Sequence, residues 1–142
     1  MQIPFSHTVR HRVLYAEADQ MGYAHHSHYP VWFERARIEL LRQQGISYRD
    51  LEAGGIILPV TEMRVRFLSA ARFDDELDIA VTLHELGRVK IGFQYTVTRR
   101  GDGARIAEAE VTLAFCNSAG RPIRHGPETL RQMALRAAGS PA

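Results

Sequence analysis

The chain has 142 residues, 45% of them hydrophobic, and a formal charge of +2, which fits one domain with its own core and no separate regulatory module. Cys116 is the only cysteine, so an internal disulfide is excluded, and no apolar run approaches a membrane span or a signal peptide; a soluble, cytoplasmic protein is expected. Of the 18 Lys and Arg residues only Lys90 is a lysine, and these cations are scattered among 16 acids. Arginine suits phosphate, but no basic stripe interleaved with aromatics points to nucleic acid.

Residues 7–15 alternate as a strand, with Val9, His11, Val13 and Tyr15 on one side and Arg10, Arg12 and Leu14 on the other. Tyr15 is therefore expected at a strand end, four residues before Asp19. A helix follows, with Trp32, Phe33, Ala36 and Leu40 as one apolar stripe, Ser27 as N-cap, Pro30 in the first turn and Gly45 as the stop. Val31, Ile38 and Leu41 fall on nearly the opposite side, so the helix is expected to be wrapped by its surroundings. Residues 47–53 read as a short helical turn before Gly54 and Gly55.

Beyond Gly55 the period changes to two. Met63, Val65 and Phe67 form one apolar face; Leu77, Ile79, Val81 and Leu83 a second; Val89, Ile91, Phe93, Tyr95 and Val97 a third; Ala107, Ala109, Val111, Leu113 and Phe115 a fourth. The glycine-containing links 84–88 and 101–103 predict antiparallel neighbours. Pro127 to Ala138 reads as a C-terminal helix with a frayed tail at about 138–142. The expected fold class is α+β: an antiparallel sheet of five or six strands curled round one long helix.

The chemistry is concentrated in DQMGYAHHSHYPVWFERAR, residues 19–37. A helix N-terminus offers unpaired N–H groups and a positive dipole end, so a carboxylate beside it suits attack on a carbonyl whose oxyanion those groups stabilise. Asp19 is that carboxylate; its bland reading is a turn former bonded to its own backbone. His25, His26 and His28 lack the spacing of a metal motif, and no metal or other cofactor is expected. Glu34 is a rival acid, whose ordinary role would be an ion pair with Arg37 at i+3 or with a neighbouring chain. Arg88 and Lys90 flank a hairpin and suit either phosphates or a solvated edge.

The Tyr15-x-x-x-Asp19 spacing, Gly22, His26, Tyr29, the FERAR stretch 33–37, VRFLSAARFDDEL at 65–77 and the AGRP turn ending at Pro122 together carry a family resemblance. The chain resembles the hotdog-fold acyl-CoA thioesterases of the 4-hydroxybenzoyl-CoA thioesterase type, and within them the small enzymes associated with the Tol-Pal system. The resemblance covers nearly all of residues 1–142. It implies a thioesterase in which Asp19 acts as nucleophile or general base, and the backbone N–H at about His26 polarises the carbonyl, with Tyr15 and the His26 side chain assisting.

The same resemblance places Gly22, Tyr23, His25 and Tyr29 against the substrate, with Arg88 and Lys90 as candidates for the coenzyme A phosphates. His25 stands where tyrosine is common and Tyr23-Ala24 where an aliphatic pair is common, so the acyl end of the pocket departs from the family. Implied partners are acyl-CoA, or an acyl carrier protein thioester, and further copies of the chain in a homodimer or homotetramer. Two other classes share such a chain: a dehydratase acting on acyl thioesters, and a non-catalytic acyl-CoA-binding protein.

Overall fold

Four strands of the alternating pattern close into one sheet with a fifth, and the long helix lies on its apolar face. The computed structural model describes residues 5–139. In chain order the elements are β1 (Ser6–Arg12), α1 (Tyr29–Gln43), α2 (Tyr48–Ala53), β2 (Val60–Phe67), β3 (Glu76–Leu86), β4 (Lys90–Arg99), β5 (Arg105–Ala114) and α3 (Gly126–Gly139). Two short 3-10 turns, Tyr15–Glu17 and His26–His28, join β1 to α1. The part of the expected frayed tail at 140–142 lies outside the described residues.

The strand order is β1-β3-β4-β5-β2, and every neighbouring pair is antiparallel. Leu77, Ile79, Val81 and Leu83 of β3, Ile91, Phe93, Tyr95 and Val97 of β4, and Ala107, Ala109, Val111 and Leu113 of β5 are all buried, as their alternation predicts. They meet Tyr29, Trp32, Phe33, Ala36, Leu40 and Leu41 of α1. Register shifts between Val60 and Glu62, Leu83 and Glu85, and Val97 and Thr98 mark bulges, which sharpen the sheet's twist around the helix. This is the expected α+β arrangement, the hotdog architecture. Among the described residues no helix is long and apolar enough to cross a membrane.

Several local expectations are corrected. β1 stops at Arg12, so Tyr15 opens a 3-10 turn and is 80% exposed. The cause is Glu17, whose carboxylate accepts the Leu14 N–H at 2.8 Å and folds the chain back before alternation can continue. The helix is not covered on two sides, because Val31 is 59% exposed and Leu41 belongs to the buried side. Gly45 terminates α1 as expected: it takes φ +82°, and the N–H groups of Gly45 and Ile46 satisfy the carbonyls of Arg42 and Leu41.

Candidate active site

The segment from Leu14 to Tyr29 is held by a small set of bonds that fix where Asp19 stands. Glu17 Oε1 lies 2.8 Å from His11 Nε2, and its Oε2 accepts the indole N–H of the buried Trp32 at 2.8 Å. Burial works to raise the Glu17 carboxyl, but the Leu14 N–H, the Trp32 indole and His11 outweigh it and hold it below its ordinary value. The Glu17 carbonyl accepts the His25 N–H at 2.9 Å. One residue, through its side chain and its carbonyl, thus ties the end of β1, the first turn of α1 and the start of the histidine cluster together.

Between these anchors Asp19 turns the chain. Its N–H donates to the Tyr23 carbonyl at 2.8 Å, and its carbonyl accepts from Gly22 at 2.9 Å. Gly22 takes φ +81°, the left-handed region that glycine enters without strain. Asp19 Oδ1 accepts the N–H groups of Met21 at 2.8 Å and Tyr23 at 3.2 Å. The turn-former reading is therefore true of one carboxylate oxygen. Among the described residues the other, Oδ2, has no hydrogen-bond partner.

The helical run that leads into α1 begins at His26. His25 caps it: His25 Nδ1 accepts the Ser27 N–H at 3.2 Å and lies 2.8 Å from Ser27 Oγ. The expected cap, Ser27, is thus the residue capped, since an imidazole nitrogen two positions earlier fills the acceptor role. The His28 N–H donates to the His25 carbonyl at 3.1 Å. Among the described residues the His26 N–H has no acceptor, which leaves it as the free donor at the helix start.

A cavity of about 350 Å³ opens here, bordered by Asp19, Tyr23, His25, His26, Tyr29 and, from the end of β2 onward, Phe67 to Ala70. The His26 ring stacks near His25 at 4.1 Å and meets Phe67 edge-on at 6.4 Å. Burial pushes the Tyr29 phenol up to about 12, so it remains a neutral donor. The Arg72 guanidinium, which the sequence did not single out, lies 4.7 Å above the Tyr23 ring at the rim. Its position is set by the antiparallel bridge that pairs Tyr23 with Arg72, a long-range contact that no local sequence pattern carries.

Of the expected site residues, Asp19, Tyr23, His25, His26 and Tyr29 come together around one cavity. Gly22 shapes the turn without bordering it. Tyr15 lies against Phe73, ring centroids 5.3 Å apart, outside the cavity. Lys90 opens β4 and Arg88 lies in the turn before it; Lys90 pairs with Glu85 at 3.7 Å, and neither residue borders the Asp19 cavity. Glu34 borders a different cavity, and the expected Glu34–Arg37 ion pair does not form, because Arg37 is turned into the core and 95% covered. Among the described residues no group of three or more His, Cys, Asp or Glu is arranged to hold a metal ion.

The sequence matches the Thioesterase-like superfamily over residues 13–137. It is 30% identical over 119 residues to the acyl-CoA thioester hydrolase YbgC of Escherichia coli O157:H7, covering 84% of this chain and 85% of that protein. The DHNA-CoA thioesterase of Staphylococcus aureus superposes with a TM-score of 0.81 at 25% identity, over 96% of this chain and 97% of that one. The 4-hydroxybenzoyl-CoA thioesterase of Pseudomonas sp. strain CBS-3 shares the fold with a TM-score of 0.81 at 22% identity, over 90% of this chain and 98% of that one.

Proposed function

Because the chain belongs to the thioesterase-like superfamily, we propose that it hydrolyses the thioester of an acyl-CoA to the free acid and coenzyme A, with Asp19 as the acting carboxylate. One observation carries this reading. Asp19 is fixed through Oδ1 while Oδ2 stays unbonded, and His26, whose N–H is unpaired among the described residues, borders the same cavity. A thioester carbonyl seated with its oxygen on the His26 N–H turns its carbon toward Oδ2. The N–H then strengthens its bond as negative charge grows on that oxygen, a contribution of roughly 10² to 10³ in rate for one such donor.

Two routes use the same carboxylate. In the first, Oδ2 adds to the carbonyl carbon, the C–S bond breaks to release the coenzyme A thiolate, and water cleaves the resulting anhydride. In the second, Oδ2 takes a proton from water as that water adds to the carbon, and collapse of the adduct expels the thiolate, which recovers the proton. Tyr23, His25 and Tyr29 form the acyl wall in either route, and the His26 ring lines the approach. Tyr15 acts at most through Phe73 at the margin.

The proposal includes self-association as a homodimer or homotetramer. Among the described residues β2 is a sheet edge with no outer neighbour, and Val60 and Phe67 along it, Leu68 just after it and Val31 on α1 are each at least 42% exposed. Arg88 and Lys90 serve the coenzyme A phosphates only when a second copy brings them to the Asp19 cavity. Light scattering tests the assembly, and an active monomer would refute it. Thiol release from an acyl-CoA panel tests the chemistry: Asp19→Asn is expected to lose activity by at least about 10²-fold while still binding acyl-CoA. Glu34→Gln is expected to stay within a few-fold of the parent. Equal activity of Asp19→Asn and the parent would refute the assignment.

A further inference from the structure

Tyr23 and Arg72 face each other across a short antiparallel ribbon. The Ala24 N–H donates to the Ala71 carbonyl at 2.8 Å and the Phe73 N–H to the Gly22 carbonyl at 3.1 Å. These bonds fall on either side of Tyr23 and Arg72 and leave them as a non-hydrogen-bonded pair. In such a pair the two side chains leave the same face and stand closest together, which brings the Arg72 guanidinium to 4.7 Å from the centre of the Tyr23 ring.

The backbone groups that point away from the ribbon are used on both sides. Those of Tyr23 hold Asp19: its N–H donates to Asp19 Oδ1 at 3.2 Å, and its carbonyl accepts the Asp19 N–H at 2.8 Å. The Arg72 N–H donates to Asp75 Oδ2 at 2.8 Å, and the same oxygen pairs with Arg99 of β4 at 3.1 Å. The base of Arg72 is thereby tied to the sheet, while its guanidinium stands exposed over the ring.

Among the described residues the Arg72 guanidinium has no carboxylate or hydrogen-bond partner, and the Tyr23 ring pairs with no other aromatic ring and its hydroxyl bonds to nothing. Each is thus the contact that fixes the other. Tyr23 borders the Asp19 cavity, and Arg72 does not. We infer, on the thioesterase reading of that cavity, that Arg72 determines which acyl groups are accepted, as a positioning residue that pins the Tyr23 ring as one wall against the acyl chain. Without the cation the ring can swing to another rotamer, and a longer chain gains the room it leaves. A cation over an exposed or half-exposed ring is strong enough to change such a balance about two- to fivefold.

Thiol release from butyryl-CoA and octanoyl-CoA by the full chain tests it through the ratio of the two kcat/KM values. Both substrates carry the same coenzyme A. A lost charge felt by the phosphates, or a Tyr23 backbone loosened at Asp19, therefore acts on both alike and cancels, whereas a moved wall does not. Arg72→Ala and Arg72→Met, which keeps the length without the charge, should each shift the ratio about two- to fivefold toward octanoyl-CoA, and Arg72→Lys should keep it nearer the parent's. Tyr23→Ala should shift it the same way by removing the wall, and adding Arg72→Ala to that variant should change it no further. An unchanged ratio in Arg72→Ala, a parental ratio in Arg72→Met, or an equal shift from Arg72→Ala in the presence and absence of the Tyr23 ring would overturn the role of Arg72 while leaving the thioesterase reading in place. A parent that releases no thiol from any acyl-CoA would overturn both.

Discussion

Glu17→Gln removes one charge and leaves the volume unchanged. In the parent, Glu17 accepts from the Leu14 N–H and the Trp32 indole and faces His11 Nε2, each at 2.8 Å, with its side chain only 12% exposed. An amide keeps one acceptor oxygen and turns its other end into a donor, so the indole or the Leu14 N–H meets an NH₂ group. Hydrogen bonds to a charged group contribute about 1.5 to 3 kcal/mol, and an unsatisfied buried donor costs about 1 to 3 kcal/mol, so we expect Glu17→Gln to lose about 2 to 4 kcal/mol at neutral pH.

Urea unfolding followed by fluorescence of Trp32, the single tryptophan, reads this directly because the probe is one of the donors. A carboxyl held below its ordinary value stabilises the fold fully above the unfolded value of 4.5 and loses that contribution as pH falls through the lower folded value. The gap between parent and variant should therefore shrink below about pH 4.5. A difference under about 0.5 kcal/mol at neutral pH, or one that does not depend on pH, would refute the anchoring role of Glu17.

His25→Ala should cost about 0.5 to 2 kcal/mol of stability through loss of the cap, and lower kcat about fivefold by loosening the His26 N–H, whereas His25→Asn, a good cap, should restore most of both; steady-state kinetics beside urea melts distinguish a cap from a simple wall residue. Gly45→Ala should lower the melting temperature by several degrees, since a side chain there takes a left-handed φ and collides with Ala137 of α3. A melting temperature equal to the parent's would mean that α3 does not pack on the end of α1.

Periodicity made most of the fold legible, because a sheet with one buried face shows its face by alternation. The apolar positions that alternate through 77–83, 91–97 and 107–113 are all buried. The place of Asp19 just before the helix was legible in the residues themselves, and the turn at Gly22 through glycine chemistry. What escaped was set by single polar bonds that no period encodes. Glu17 capturing the Leu14 N–H ended β1 early and carried Tyr15 out of the expected strand, and an imidazole took the capping role expected of Ser27. Arg37 was read only as the i+3 partner of Glu34, although its spacing from Phe33 and Leu40 places it on the buried stripe. That Lys90 does not border the Asp19 cavity depends on strand order, which is absent from local pattern.

The central claim is that Asp19 acts on a thioester through its unbonded oxygen. Single-turnover thiol release by Asp19→Asn, measured beside its acyl-CoA affinity, tests it most directly, because asparagine keeps an oxygen to accept from Met21 and Tyr23 and removes only the charge. The account predicts release slowed by at least about 10²-fold with affinity within a few-fold of the parent. Release at the parent's rate, with Glu34→Gln inactive instead, would contradict it.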